Sequence, residues 1–194
     1  AGITGMPPLM AIYFLTIFAF ATMEATFPLL TLALFNFNEQ QNGWVFAYIG
    51  VLIVILQGGL VGRLAKRFGE KNLVIAGSLL LAVGLAGLPF STSLPLLLMT
   101  LVPLAAGNGL ANPSLSALIS LTTSKHSQGE TLGVAQSLAS LGRVLGPLWG
   151  GFAYMALGAQ ISYVIAGGIM VLMAGLAFTI RKPEAPEPGP VAPA

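Results

Sequence analysis

Two ionisable side chains, Glu24 and Arg143, stand alone inside long apolar runs of this sequence. A carboxyl in such surroundings pays a desolvation penalty when ionised unless it is paired. Glu24 is therefore suited to carrying a proton or meeting a cationic group, while a locally hydrogen-bonded Glu that stiffens a break at Pro28 accounts for it equally. Arg143 suits attraction of an anionic or polar group, or of a distant carboxylate; a structural arginine bonded to carbonyls opened by the neighbouring Gly and Pro residues is the alternative. Asn108 and Asn112 are four apart and share one face of a helix, and Gln57 and Gln136 add further uncharged polar groups. Such groups in lipid either hydrogen-bond between helices or contact a substrate; Asn108 and Gln57 are the better contact candidates. No His, Cys or carboxylate cluster accompanies any of them, so neither enzyme chemistry nor a metal or cofactor site is expected.

The elements that must hold these residues are membrane-spanning helices. Charged residues are 7% of the chain and apolar ones 56%, far from the roughly 25% charge of soluble domains. A crossing needs about 20 apolar residues, and six stretches qualify: 8–35, 44–62, 72–90, 95–121, 132–157 and 161–180. The basic residues Arg63, Lys66, Arg67 and Lys71, then Lys125, then Arg181 and Lys182 fall in alternate connections. Those connections are predicted to be cytoplasmic, with both termini, and 36–43, 91–94 and 158–160 to lie on the other side of a cell (inner) membrane. Because the basic residues follow this topology, the pI near 9.2 argues for no nucleic-acid partner. Disulfides and thiolate sites are excluded by the absence of cysteine, and the single His126 falls in a connection. Residues 181–194, rich in Pro, Ala and Glu, read as a disordered tail. The start at Ala1 without Met suggests a fragment.

Depth along the spans sorts the polar residues. Arg143 lies eleven residues after Leu132, roughly 17 Å into the membrane and near its midplane; Glu24 lies roughly 24 Å from the basic end, in the outer half. Gly142, Gly146 and Gly150 recur every four residues and are extended by Ala135 and Ala139 into a small-residue stripe. Small faces allow close backbone approach in lipid. The stripe is either a permanent contact within this bundle or, the expectation favoured here, a face sliding against another half, with Pro147 bending the helix. Pro28 and Pro113 fall at similar offsets in the first and fourth spans. Paired proline-interrupted segments point to two three-span repeats of inverted orientation.

Gly62-Arg63-Leu64-Ala65-Lys66-Arg67-Phe68-Gly69-Glu70-Lys71 reads as Gly-x-Leu-Ala-x-Arg-x-Gly-x-Lys, and it resembles the loop motif of the major facilitator superfamily. In that motif a glycine permits the turn out of the helix and basic residues hold the loop at the cytoplasmic face. Lys66 replaces the aspartate of the first-repeat form, which points to the second copy of the motif. Gly142 to Gly151 fits the Gly-x-x-x-Gly-Pro-x-x-Gly-Gly pattern of the superfamily's proton-driven drug exporters, and the segments around Gly107, Gly109, Pro113 and Gln128 to Leu138 resemble their tenth and eleventh spans. Pro103 stands where their span-four arginine would be. The resemblance therefore implies an all-helical, six-span C-terminal half. It further implies alternating access with an N-terminal six-span half as partner, and export of small amphipathic substrates in exchange for protons. A uniporter or importer of polar metabolites on the same scaffold, and a non-transporting module that binds a membrane partner, are the rival readings.

Overall fold

The computed structural model describes residues 6–124 and 126–180, and in them every long element is a helix. Helix α1 (Met6–Phe35) continues unbroken past Pro28. Helix α2 (Glu39–Ile55) opens on a reciprocal cap in which the Asn38 side chain accepts from the Gln41 amide and the Gln41 side chain accepts from the Asn38 amide. Such a cap satisfies donors that a helix start leaves unpaired. One π-helical segment (Leu56–Leu60) then joins α2 to α3 (Val61–Phe68), so a single span extends from 39 to 68. Helices α4 (Glu70–Gly87), α5 (Leu94–Leu121) and α6 (Gln128–Thr179) complete the bundle.

Two glycines set the sharp turns. Gly69 between α3 and α4 has φ 81° and Gly158 within α6 has φ 80°, a region open to glycine and strained for other residues. The second span, expected to end at Gly62, instead runs on through it as α3 to Phe68, and the motif's other glycine, Gly69, makes the turn. The 158–160 connection shrinks to the bend at Gly158, which splits α6 into arms 128–157 and 159–179. Six apolar arms therefore arise from five continuous helical runs. The tail 181–194 and Lys125 lie outside the described residues.

The packing has a pattern. The first span (α1) packs along both arms of α6, as α5 packs along the second and third spans; first and fourth spans touch, and so do third and sixth. Exchanging spans one to three for four to six maps this contact set onto itself, which is the 3+3 arrangement. Glycines make the closest approaches. A Cβ on Gly107 would come within 2.4 Å of the Leu81 amide nitrogen, and one on Gly167 within 2.9 Å of the Ala82 carbonyl oxygen. The central layer buries Met23, Phe27, Leu81, Leu85, Leu101, Leu104 and Met170. The span 39–68 is the least covered: its N-terminal end is held by Val45, Ile49 and the Thr31–Asn42 hydrogen bond, and its C-terminal end by Val61, but Val51, Val54, Ile55 and Leu60 are exposed. At the basic end, Lys71 donates to the carbonyl oxygens of Phe178 (2.7 Å) and Ile180 (2.5 Å), tying the start of α4 to the last turn of α6.

Candidate functional site

Span spacing places Gln136, Ser140, Arg143 and Pro147 on one side of the first arm of α6, and all four are exposed, as is Ser137. Turned away from the bundle, this row includes an arginine near mid-span, where insertion into hydrocarbon costs about 2.5–3.5 kcal/mol. Such a face belongs against protein or a water-filled path. Glu24, on the adjoining α1, is exposed as well. Their levels follow from the glycine contacts. Gly142 lies against Phe14 and Phe18, and Gly150 against Thr22 and Thr26, so α1 and this arm run parallel. Glu24 is then level with Gly150, seven residues beyond Arg143, about 10 Å along the axis.

Both charged residues occupy the same local position relative to a proline. Pro28 is four residues after Glu24, and Pro147 four after Arg143. Each proline lacks the N–H that would bond the carbonyl of the residue four before it, so Glu24 and Arg143 sit where their own helices have a free backbone acceptor. That arrangement was visible in the sequence as a recurring spacing.

The glycine stripe faces inward. A Cβ at Gly142 would lie 3.2 Å from the Phe14 carbonyl oxygen, at Gly146 2.9 Å from that of Phe18, and at Gly150 3.1 Å from that of Thr22. The sliding-face expectation for Gly142, Gly146 and Gly150 gives way here to a contact within the bundle; the glycines of this arm left open are Gly129, Gly133 and Gly151. Asn108 and Asn112 do meet, through a hydrogen bond from the Asn112 amide nitrogen to the Asn108 amide oxygen (2.5 Å). Asn108 is buried, and the Asn112 amide oxygen is buried without a donor. Gln57 is exposed on the π-helical segment, beside Leu56, which packs on Gly109 of α5. Gln57 and Arg143 thus lie on spans that flank the bundle from different sides. Of the loop motif, Gly62, Arg63 and Arg67 are exposed, Gly69 makes the turn, and Lys71 is engaged with the end of α6.

One polar cluster escaped the sequence reading. Thr22 donates to the Gly146 carbonyl (3.0 Å), Thr26 donates to the Thr22 carbonyl (2.9 Å), and the Tyr163 hydroxyl lies 3.0 Å from Thr26 Oγ1. With its one hydrogen spent on Thr22, Thr26 accepts from Tyr163. These bonds join spans one, five and six beside a void of about 10 Å³, which holds at most one water. The signal for them was the run Thr16, Thr22, Thr26 and Thr31 in an apolar span. Among the described residues, the voids found beside these groups are about 10 Å³ each, and the polar row on α6 opens outward instead.

The sequence profile of the Major Facilitator Superfamily matches residues 9–194. Major facilitator superfamily domain-containing protein 10 of Mus musculus is 29% identical over 172 residues, which are 89% of this chain and 38% of that protein. The class B tetracycline resistance protein of Escherichia coli is 33% identical over 143 residues, 74% of this chain and 35% of that protein. The crystal structure of the human organic anion transporter MFSD10 (TETRAN) superposes with a TM-score of 0.84 at 30% identity, covering 89% of this chain and 40% of that one. The chain thus spans well under half the length of these relatives. With its span order, its repeat packing and the profile match in agreement, the chain belongs to the major facilitator superfamily.

Proposed function

We propose that these six spans are the C-terminal half of a secondary active transporter that exports small amphipathic molecules in exchange for protons, moving them by alternating access against an N-terminal six-span half. The observation that carries this reading is the exposed row Gln136, Ser140 and Arg143 beside Glu24, a polar wall in mid-span on a bundle that also exposes Gln57 but otherwise turns mostly apolar side chains outward. A substrate with an anionic group fits Arg143, in keeping with the organic anions named for the human relative. Glu24, exposed on the adjoining span, supplies a carboxyl able to carry a proton. The similarity to tetracycline resistance proteins supports export. Both termini are assigned to the cytoplasm of the inner membrane, on the side of the basic loops.

The test is accumulation by the full-length protein in proteoliposomes under an imposed pH gradient. Glu24→Gln, which mimics the neutral carboxyl, is expected to weaken proton-driven accumulation more than substrate binding, with downhill exchange surviving. Full pH dependence in that variant would make Glu24 structural and leave coupling to the other half; accumulation indifferent to the gradient in the unaltered protein would refute proton exchange.

A further inference from the structure

The amphipathic helix α3 closes the span 39–68, and its two faces have different owners. Val61, Leu64 and Ala65 pack into a small apolar cluster with Leu73 and Leu110, which fixes the rotation of the helix. Arg63, Lys66 and Arg67 consequently point away from the bundle, and all three are exposed. Lys71, the fourth cation of the segment, is taken up by the end of α6 and is not part of this face. Phe68 is 49% exposed, and the Arg67 guanidinium lies over its ring at 5.3 Å. An aromatic ring paired with a cation at the end of an apolar span is the arrangement found at headgroup level.

We propose that this face of α3 binds the phosphodiester headgroup of an anionic phospholipid. Its dimensions match. From Arg63 to Arg67 the helix rises about 6 Å, and the headgroup layer beyond one side of the hydrocarbon core is about 5–8 Å thick. Two guanidinium groups, with fork geometry suited to phosphate oxygens, accompany one ammonium on this face, and the Arg67 guanidinium lies over the Phe68 ring at the end of the helix. The charge complementarity selects anionic over zwitterionic lipid. It also distinguishes this face from the polar row on α6, which carries only one cation.

The full-length protein in detergent, titrated by thermal shift with short-chain phosphatidylglycerol, short-chain phosphatidylcholine and inorganic phosphate in parallel, tests this. Phosphatidylglycerol is expected to stabilise the protein at the lowest concentration. Each cation is expected to contribute about fivefold in affinity, so the variant Arg63→Gln/Lys66→Gln/Arg67→Gln loses about a hundredfold. Lys66→Gln alone, a milder change at an exposed position, should lose about fivefold. Equal stabilisation by phosphatidylcholine would overturn the proposal, and so would phosphate acting as well as the lipid, which would assign the face to a free anion. Unchanged phosphatidylglycerol affinity in both variants would also overturn it, leaving the cations to carboxylates of the other half.

Discussion

Substitution of Gly146 probes the contact on which the bundle's shape depends. A methyl group there would lie 2.9 Å from the Ala21 Cβ, 2.9 Å from the Phe18 carbonyl oxygen and 3.0 Å from the Thr22 nitrogen. Carbon atoms in contact prefer about 3.5–4.0 Å, so α1 and the first arm of α6 would have to separate by roughly 0.5–1 Å. Two of the three obstructing atoms are backbone and cannot rotate aside. Overpacking of this kind costs about 1–3 kcal/mol. The Thr22 bond to the Gly146 carbonyl, 3.0 Å long, stretches at the same time, adding about 0.6 kcal/mol. Gly146→Ala is therefore expected to destabilise the full-length protein by about 1.5–3.5 kcal/mol in denaturant titration. Gly146→Leu should reach the membrane and fail to transport. Gly151→Ala is the internal control, because a Cβ there meets nothing within 4 Å. Equal stability of Gly146→Ala and Gly151→Ala would refute the packing argument, and normal transport by Gly146→Leu would show that the face is open.

Three further outcomes are expected. Gly158→Ala forces an alanine to φ 80°, ψ 165°, a region nearly closed to side-chain-bearing residues, and should cost about 1–3 kcal/mol by the same titration, with no loss meaning that the bend lies elsewhere. Lys71→Met removes both bonds to the Phe178 and Ile180 carbonyls and should speed amide exchange in the last turn of α6 while leaving that of α5 unchanged; identical exchange would make the clamp idle. Single cysteines at Lys66 and Gln40, treated with an impermeant thiol reagent in intact cells, should label at position 40 and be protected at 66; the reverse pattern would invert the topology.

Much of the fold is written in the chain's charge placement, because a basic residue is costly inside lipid and cheap at its edge, and the alternation of basic connections orders the spans. Periodicity likewise shows that Gly142, Gly146 and Gly150 share a face, but it says nothing of what lies opposite, and the partner turned out to be α1. The second span was expected to end at Gly62, yet the apolar Val61, Leu64 and Ala65 have a cluster to enter and so carry the helix on to Phe68. The π-helical segment at Leu56–Leu60 had only the pair Gly58-Gly59 as a signal. Asn108 and Asn112 were legible as neighbours, whereas their depth of burial depends on helices far away in sequence. Tyr163 sits in an apolar run, and only the approach of α1 brings Thr26 to its hydroxyl.

The central claim is that the exposed row on the first arm of α6 lines the substrate path. The chain has no cysteine, so a single cysteine at Ser140, between Gln136 and Arg143, would be unique in this half. In the full-length protein in membranes, a charged, water-borne thiol reagent is expected to label Ser140→Cys, and a transported anion to slow that labelling, while a cysteine at the exposed Leu172 of the second arm stays unlabelled. Labelling of Ser140→Cys that no substrate slows, or none at all, would contradict the account and place this face in a dry contact or against lipid.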